Sequence, residues 1–372
     1  MEYKLFEQYF TPPSQTNLDL REKLDNSSIS QKIKIYGVDE FELNSPGIAI
    51  LTLNNELESE KFRNRFYSLH YGDWSLNIVD LGRFKNGHSH SDSNFAIKEI
   101  VQKLSSLGIF TICIGGNSSL LSLFSYSLND SHNFLNLVSI DKILGINSDN
   151  DLDNNNYLSE LILSETLRLN FFCNLGYLRH LNSTEKIDLV KKIKFDLLSL
   201  GDLRSEIKEA EPILRNSNIV NFSLESLQSN VINYKLTSPN GFTAFEACSL
   251  SRYIGISSSM KIVGYTNVKS TIECNSVLSE MVWYTIDGFN NRYDDDFSNE
   301  SDFKYYHTEI DGHNLKFYQN KISNRWWVEY VSDDSIVKIE KDIIPCSEND
   351  YKLSQTSIIS ERIIKRLKNK II

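Results

Sequence analysis

The chain has 372 residues, of which 40% are hydrophobic, so it is long enough to bury a large core in one or two domains. Its formal net charge of −10 excludes a broad nucleic-acid-binding surface, because such surfaces concentrate Lys and Arg. It has neither a basic N-terminal region followed by an apolar run nor the roughly 20 successive apolar residues of a membrane span. We therefore expect a cytoplasmic protein without a transmembrane segment and without a nucleic-acid partner.

Short apolar runs of strand length alternate with longer amphipathic segments over most of the chain. Runs of this kind are typical of a parallel sheet that is covered by helices on both faces. They occupy residues 47–53, 76–82, 109–116, 134–141, 169–176, 219–225 and 260–267. Helices are predicted over residues 93–108 and 243–255, each with Ser or Thr at its start and Gly at its end. The alternation predicts a three-layer α/β/α sandwich with a mainly parallel sheet, in which ligands bind at the carboxyl ends of the strands.

The composition changes near residue 290, where a polar and acidic segment begins. The segments after it have the pattern of a small antiparallel meander, and the end of the chain has the pattern of a basic amphipathic helix. Such a short helix is not stable alone in water, so we expect it to dock on its own body or on a second subunit. The predicted parts are an N-terminal arm (1–30), an α/β domain (31–290), an acidic linker (291–302), a β-rich extension (303–352) and the terminal helix (353–372).

Aromatic, cysteine and histidine residues each suggest a site, and each has a structural interpretation. Trp326 and Trp327 of the meander, with Tyr330 nearby, are candidates for a binding surface; we expect one tryptophan to cover the sheet, and the sequence leaves the role of the other undecided. His88 and His90 have the spacing of a metal-binding pair, but their Ser- and Gly-rich surroundings favour a solvated loop. The five cysteines are odd in number and widely spaced, which favours reduced core residues over disulfides or a zinc site. They are Cys113, Cys173, Cys248, Cys274 and Cys346.

One acidic segment, residues 149–160, has the spacing of a calcium-binding loop. Asp149, Asp151, Asp153 and Glu160 fall at its first, third, fifth and twelfth positions. The sixth position is Asn154 instead of glycine, and no helix is expected before the segment. An acidic, solvated loop is the preferred interpretation, and calcium binding is the alternative.

The order of several motifs resembles that of the ureohydrolase superfamily, which includes arginases, agmatinases and formimidoylglutamases. The resemblance spans roughly residues 30–352. It rests on VDLG (79–82), IGGNSS (114–119), SID (139–141), EPILRNSNIVNFSLESL (211–227), PNGFTAFEACSLSRYIG (239–255) and WYTIDGFNNR (283–292). The C-terminal RWW (325–327) and IPCSENDY (344–351) are similar to the formimidoylglutamase-like branch of Bacteroidota. The resemblance implies an arginase-like fold and, in active relatives, two manganese ions that share a bridging hydroxide.

The motifs of this chain differ from that family pattern at most of the metal-ligand positions. The family places a histidine after Gly-Gly and one further residue, where this chain has Ser118. The family sequence Asp-Ala-His-x-Asp corresponds to residues 141–145, and Ser-Phe-Asp-x-Asp corresponds to residues 221–225. The resulting degenerate site has a serine, an aliphatic side chain or no side chain at four positions, and none of these is a good manganese ligand. Its members are Ser118, Asp141, Ile143, Gly145, Ser223 and Glu225, of which Asp141 and Glu225 keep a carboxylate.

These departures favour a pseudoenzyme, with no catalytic residue and no bound metal or other cofactor, that acts as a structural or regulatory protein-binding component of a larger assembly. We expect a protein partner or self-association, and we expect Lys142 to compensate the charge of Asp141 directly. Glu246 occupies the position at which the family binds the cationic nitrogen of the substrate, although its place in a first helical turn also favours a carboxylate. One alternative is a metal-poor hydrolase of formiminoglutamate or a guanidino compound. Another is a small-molecule sensor that uses Glu246.

Overall fold

The computed structural model describes residues 7–129, 134–146, 156–331 and 343–368. A large sheet crosses the molecule in the strand order β1-β4-β3-β5-β10-β9-β6-β7-β8, with β2 paired to β4. Only the pairing of β1 with β4 is antiparallel within this sheet, which confirms the predicted mainly parallel arrangement. Its strands are β1 (Phe10–Thr11), β2 (Lys34–Ile35), β3 (Gly47–Thr52), β4 (Asn77–Phe84), β5 (Ile109–Ile114), β6 (Leu135–Ile140), β7 (Leu169–Tyr177), β8 (Asp196–Ser199), β9 (Ile219–Ser223) and β10 (Ile262–Thr266).

Helices cover both faces of this sheet and give the predicted three-layer sandwich. One face carries α1 (Gln15–Lys23), α2 (Ile29–Lys32), α3 (Glu56–Tyr67), α8 (Leu200–Ser205), α9 (Ala210–Arg215), α10 (Ala244–Ile256) and α11 (Ile272–Asn290). The other face carries α4 (His90–Ser106), α5 (Leu120–Leu128), α6 (Tyr157–Leu163) and α7 (Thr184–Lys192). None of the helices in the described part of the chain has the length and apolar character needed to cross a membrane.

Two predicted helix ends differ from those in the structure. Helix α4 begins at His90 instead of Ser93, because Ser89 and Asp92 form a reciprocal capping box at its N-terminus. Helix α10 starts as predicted after Thr243, but Gly255 lies inside it and does not end it. A Cβ atom at Gly255 would lie 2.1 Å from the carbonyl oxygen of Thr285, so this glycine allows α10 and α11 to approach each other closely.

A second, antiparallel sheet forms the C-terminal extension, in the order β11-β12-β13-β14. Its strands are β11 (Phe303–Ile310), β12 (His313–Asn320), β13 (Trp326–Val331) and β14 (Ile343–Cys346). Residues 335–341, one of the segments with the meander pattern, lie outside the described residues. Trp326 and Trp327 contact the cores on opposite faces of this sheet and are 7% and 5% exposed. The expected packing of one tryptophan is confirmed, and the other, which the sequence left undecided, is packed as well, because each face of the sheet packs against other residues.

Two helices, α12 (Glu348–Gln355) and α13 (Glu361–Lys368), replace the single helix predicted over residues 353–372. The chain turns between them at Ser357, whose φ of +61° interrupts a helix. Helix α13 docks on the body of its own chain: Arg362 pairs with Glu209 at 2.8 Å, and Lys365 pairs with Asp196 at 2.8 Å. All five cysteines are buried and free, which confirms that they are reduced core residues.

Candidate functional site

Four neighbouring strands of the large sheet end at the place where the sequence predicted a degenerate site. Strands β5, β10, β9 and β6 are adjacent in that order, and their carboxyl ends lead into the segments with the candidate residues. The structure brings Ser118, Asp141 and Ser223 together there, and each is 3% exposed or less. The bridging residue is Asn267, directly after β10.

Hydrogen bonds join these three side chains into one buried cluster. Ser118 Oγ donates to Asp141 Oδ2 at 3.0 Å. Asn267 Nδ2 donates to Ser118 Oγ at 3.2 Å and to Ser223 Oγ at 3.0 Å. Three of the predicted positions of the degenerate site are therefore engaged with one another and with an amide that follows a fourth strand.

Asp141 is a carboxyl group in a largely desolvated place. Burial raises its pKa from 3.8 to about 6, and the charge of Glu225 adds to this rise. The hydrogen bonds from the backbone N–H of Ile143 and from Ser118, together with the charge of Lys142, lower the pKa in part. The desolvation of the carboxylate outweighs these favourable contacts.

Two lysines lie at the same edge of the sheet and cross-link its loops. The ammonium of Lys269 forms a salt bridge with Glu225 at 2.5 Å and lies 4.6 Å from the centre of the Tyr234 ring. The ammonium of Lys142 donates to the hydroxyl of Thr237, and that hydroxyl donates to the backbone oxygen of Glu225 at 3.2 Å. Lys142 is buried, and desolvation lowers its pKa. Its hydrogen bond goes to Thr237, and its charge lowers the pKa of Asp141, so Lys142 compensates the charge of Asp141, as predicted, without a hydrogen bond between the two side chains.

The place next to Gly145 is filled by the ring of Tyr157, the first residue of α6. A Cβ atom at Gly145 would lie 2.0 Å from Tyr157 Cε1, so no larger side chain fits there while the ring keeps its position. The hydroxyl of Tyr157 shares a hydrogen bond of 2.9 Å with Ser139 Oγ, and the N–H of Leu158 donates to the oxygen of Gly145 at 2.8 Å. Ile143, by contrast, is 36% exposed, so this side chain does not fill the site.

Four of these residues were not identified as candidates from the sequence: Thr237, Asn267, Lys269 and Tyr157. Asn267 is the last residue of a predicted strand-like run, and this position was the signal available for it. Thr237 and Tyr157 lie in or after irregular segments whose course the sequence pattern does not define.

Glu246 lies apart from the cluster and is engaged by its own surroundings. Its Oε2 accepts from the N–H of Thr243 at 2.7 Å and from the hydroxyl of Thr243 at 2.9 Å, in the capping box of α10. Its Oε1 lies 3.3 Å from Arg204 Nε. Ligand binding by Glu246 stays a prediction, and such a ligand competes with Arg204.

The other predicted metal motifs are not assembled into sites in the described ranges. His88 is exposed, and His90 is the first residue of α4 instead of a loop residue. Residues 147–155, which include Asp149, Asp151 and Asp153, lie outside the described part of the chain. Glu160 accepts a hydrogen bond of 2.7 Å from Ser122. Among the described residues, no group of three or more His, Cys, Asp or Glu has the arrangement of a metal site.

The donor set at the strand ends does not fit a pair of manganese ions. Such a pair needs several carboxylates and imidazoles around it. Here the two carboxylates are engaged by Ser118 and Lys269, and the ring of Tyr157 takes the space at Gly145. Two ammonium groups also add positive charge at the place where the ions would bind.

Comparisons with known proteins support the fold. No protein-family model and no curated protein matches the chain. A formiminoglutamase of Trypanosoma cruzi with Mn²⁺ is 15% identical, and the match covers 66% of this chain and 94% of that chain with a TM-score of 0.59. The formimidoylglutamase of Bacillus subtilis is 14% identical, with 69% and 96% covered and a TM-score of 0.59. A hypothetical agmatinase from Burkholderia thailandensis is 11% identical, with 67% and 87% covered and a TM-score of 0.55. The chain thus has the α/β fold of the arginase superfamily, as seen in formiminoglutamases and agmatinases.

Proposed function

We propose that this chain is a pseudoenzyme on an arginase-like scaffold and acts as a structural or regulatory protein-binding component of a larger assembly. The observation that carries the proposal is the internal occupation of the site. Lys269 and Asn267 bind groups that would face a metal pair, and Tyr157 fills the place beside Gly145. The ammonium of Lys142 binds Thr237, whose hydroxyl in turn binds the backbone of Glu225.

Electrostatics supports the same proposal. A pair of divalent cations draws several carboxylates into one site, and carboxylates left without the metals repel each other. In this chain that repulsion acts between Asp141 and Glu225, and the ammonium groups of Lys142 and Lys269 offset it. The positive and negative charges at the site thereby balance without a metal ion.

Metal content tests the proposal directly. The chain is purified, incubated with excess Mn²⁺, desalted and measured by inductively coupled plasma mass spectrometry. We expect substoichiometric manganese, with the T. cruzi formiminoglutamase treated in parallel as the positive control. Near two manganese ions per chain would refute the proposal.

A second candidate function is the hydrolysis of formiminoglutamate or a guanidino compound, and the observation in its favour is the formiminoglutamase-like fold with Asp141 and Glu225 retained. The assay measures release of ammonia, urea or formamide from a panel of linear amidines. We expect no release above that of a chain in which both carboxylates are amides, Asp141→Asn with Glu225→Gln. Turnover that this double variant abolishes would establish the hydrolase.

Exposed apolar side chains near the strand ends support a protein partner. Leu236 is 85% exposed and Phe245 is 78% exposed, and both follow the carboxyl end of β9 in the chain. Self-association through this surface is measurable by sedimentation velocity over a range of concentrations. We expect the double substitution Leu236→Ser with Phe245→Ser to shift the chain towards the monomer. Monomeric sedimentation of the unmodified chain at every concentration would exclude self-association.

A further inference from the structure

A cavity of about 600 Å³ lies away from the degenerate site, between α1, α3 and the first turns of α11. The residues from α1 are spaced i, i+3, i+4 and i+7, and those from α3 have the same spacing, so two helix stripes face each other. Facing stripes of this kind usually carry apolar side chains that interdigitate, whereas these are mostly polar and leave an open space. The lining residues are Thr16, Asp19, Leu20 and Lys23 of α1, Lys61, Asn64 and Arg65 of α3, Ser68 directly after α3, and Ile272 and Asn275 of α11.

The width of this cavity is fixed by buried contacts between the two helices. Asn17 is 1% exposed, and its Nδ2 donates to Asn64 Oδ1 at 2.8 Å and to the backbone oxygen of Glu60 at 3.1 Å. Ser14 Oγ, at the start of α1, donates to Glu60 Oε2 at 2.8 Å. The space is therefore part of the packed fold and does not depend on one side-chain rotamer.

The charge of the cavity is opposite to that of the whole chain. Lys23, Lys61 and Arg65 line it, with Asp19 as its one acidic residue, in a chain whose net charge is −10. In the described ranges, no carboxylate lies within ion-pair distance of these three cations, and Asp19 accepts a hydrogen bond of 2.7 Å from Gln15. Three cationic groups around one space attract an anion, and the attraction is strongest at low ionic strength.

A buried amide adds a second polar feature at the end of the cavity. Asn275 is 1% exposed, and its Nδ2 donates to the backbone oxygens of Thr271 and Lys269 at 2.7 and 3.1 Å. Its Oδ1 is also buried and accepts no hydrogen bond from the residues that the structure describes. The two hydrogen bonds from Nδ2 hold the side chain of Asn275 in place at this end of the cavity.

We propose that this cavity binds a small organic dianion. The anionic groups pair with Lys23, Lys61 and Arg65, and Leu20 and Ile272 contact an apolar part. The volume is in the range of natural small-molecule sites. The shared ligand chemistry is a double negative charge, carried by two carboxylates or by one phosphate. This proposal is independent of the loss of metal chemistry proposed above.

The cavity also borders the loop that fills the degenerate site. Lys61 Nζ donates to the backbone oxygen of Ser270 at 3.0 Å, and Asn275 Nδ2 donates to the backbone oxygen of Lys269 at 3.1 Å. The side chain of Lys269 bridges to Glu225 on the other side of this loop. A bound anion therefore restrains residues 267–271, and amide hydrogen exchange measures this restraint.

Isothermal titration calorimetry at low salt tests the site with three probes that share an amide N–H: N-acetylaspartate, N-acetyl-O-phosphoserine amide and the neutral N-acetylasparagine amide. The double substitution Lys23→Gln with Arg65→Gln removes two exposed charges that have no carboxylate partner, so the fold is expected to persist. Lys352→Gln, at an exposed position of α12, is the matched control. We expect one dianion to bind, the double variant to lose about tenfold or more in affinity, and the control to bind normally.

The identity of the binding dianion separates the two sources of charge, a dicarboxylate from a phosphate. Binding with slower exchange at residues 267–271 supports the proposal. No heat from either dianion at millimolar concentration overturns it. Equal binding of the neutral probe, or equal affinity in the double variant, overturns it as well.

Discussion

Burial of the Asp141 carboxyl links the stability of this chain to pH. Its pKa in the folded chain is about 6, compared with an ordinary value of 3.8, because the site is desolvated. The folded chain therefore binds this proton more tightly than the unfolded chain does. The stabilisation is complete below pH 4 and is lost as the pH rises through 6.

The substitution Asp141→Asn removes this penalty while leaving an oxygen that accepts from Ser118. We expect the variant to be more stable than the unmodified chain above pH 6, by about 3 kcal/mol at most, and nearly equal to it near pH 4. Urea unfolding at a series of pH values measures the difference. Asp188→Asn, on the exposed face of α7, is the control and should leave the free energy of unfolding unchanged both above pH 6 and near pH 4. A variant that is less stable at pH 8 would contradict the assignment.

The contact of Gly145 with Tyr157 gives a second prediction at the residue scale. In Gly145→Ala the new Cβ meets the ring at 2.0 Å, so the ring or the loop must move, and we expect a loss of about 1 to 3 kcal/mol in the free energy of unfolding. The same change in a Tyr157→Ala background should cost clearly less, since the clashing ring is absent. Unfolding of the four members of this double-mutant cycle measures the coupling. Additive losses would show that the ring does not occupy this place.

The sequence predicted part of this site, and the reason is local. Ser118 and Asp141 follow strands that were evident as apolar runs, Ser223 ends another such strand, and parallel strands bring their carboxyl ends together. The partners of these residues were less accessible. Lys142 reaches Thr237 across 95 residues of sequence, and the conformation of the loop that carries Thr237 depends on contacts far from it.

At the scale of elements, the terminal helix α13 depends on charge pairs with the α/β domain. Arg362 contacts Glu209 at 2.8 Å and Asp350 at 3.0 Å, and all three side chains are largely shielded from solvent. We expect Arg362→Ala to lower stability by about 2 kcal/mol, since each of two shielded carboxylates loses a charged hydrogen-bond donor. Amide exchange in residues 361–368 should accelerate with it. Lys352→Ala breaks an exposed pair with Glu348 and should leave both measurements unchanged. Unchanged exchange in Arg362→Ala would contradict the docking contact.

Elements with strong local signals were predictable and the short ones were not. Helix α10 carries its own start signal in Thr243 and Glu246, and the long apolar strands are visible as runs. Strands β1 and β2 have two residues each, so no periodicity identifies them. They form because the edge strand β4 offers unpaired backbone groups, which is a property of the assembled sheet.

At the scale of the whole molecule, the two sheets are joined by a buried arginine. Arg215 ends α9 in the α/β domain, and its Nη2 donates to the backbone oxygens of Trp326 at 2.9 Å and Cys346 at 3.2 Å in the second sheet. Its guanidinium also lies 4.3 Å from the centre of the Trp327 ring. These bonds require both sheets to be folded, so the C-terminal extension is an integral part of the molecule. The sequence indicated the two parts but held no sign of this contact.

The contact of Arg215 with the second sheet predicts that the two sheets unfold in a single transition. We expect Arg215→Met to separate the unfolding of the two sheets into two transitions. Methionine keeps much of the apolar contact with Trp327 but leaves the oxygens of Trp326 and Cys346 without a donor, at a cost of about 2 kcal/mol. Differential scanning calorimetry should show one peak for the unmodified chain and two for the variant, in which the extension melts first. Arg83→Ala, which breaks a 3.9 Å surface pair with Glu56, should keep the single peak. Two peaks in the unmodified chain would show that the two sheets unfold independently. Arg215 would then not couple their folding.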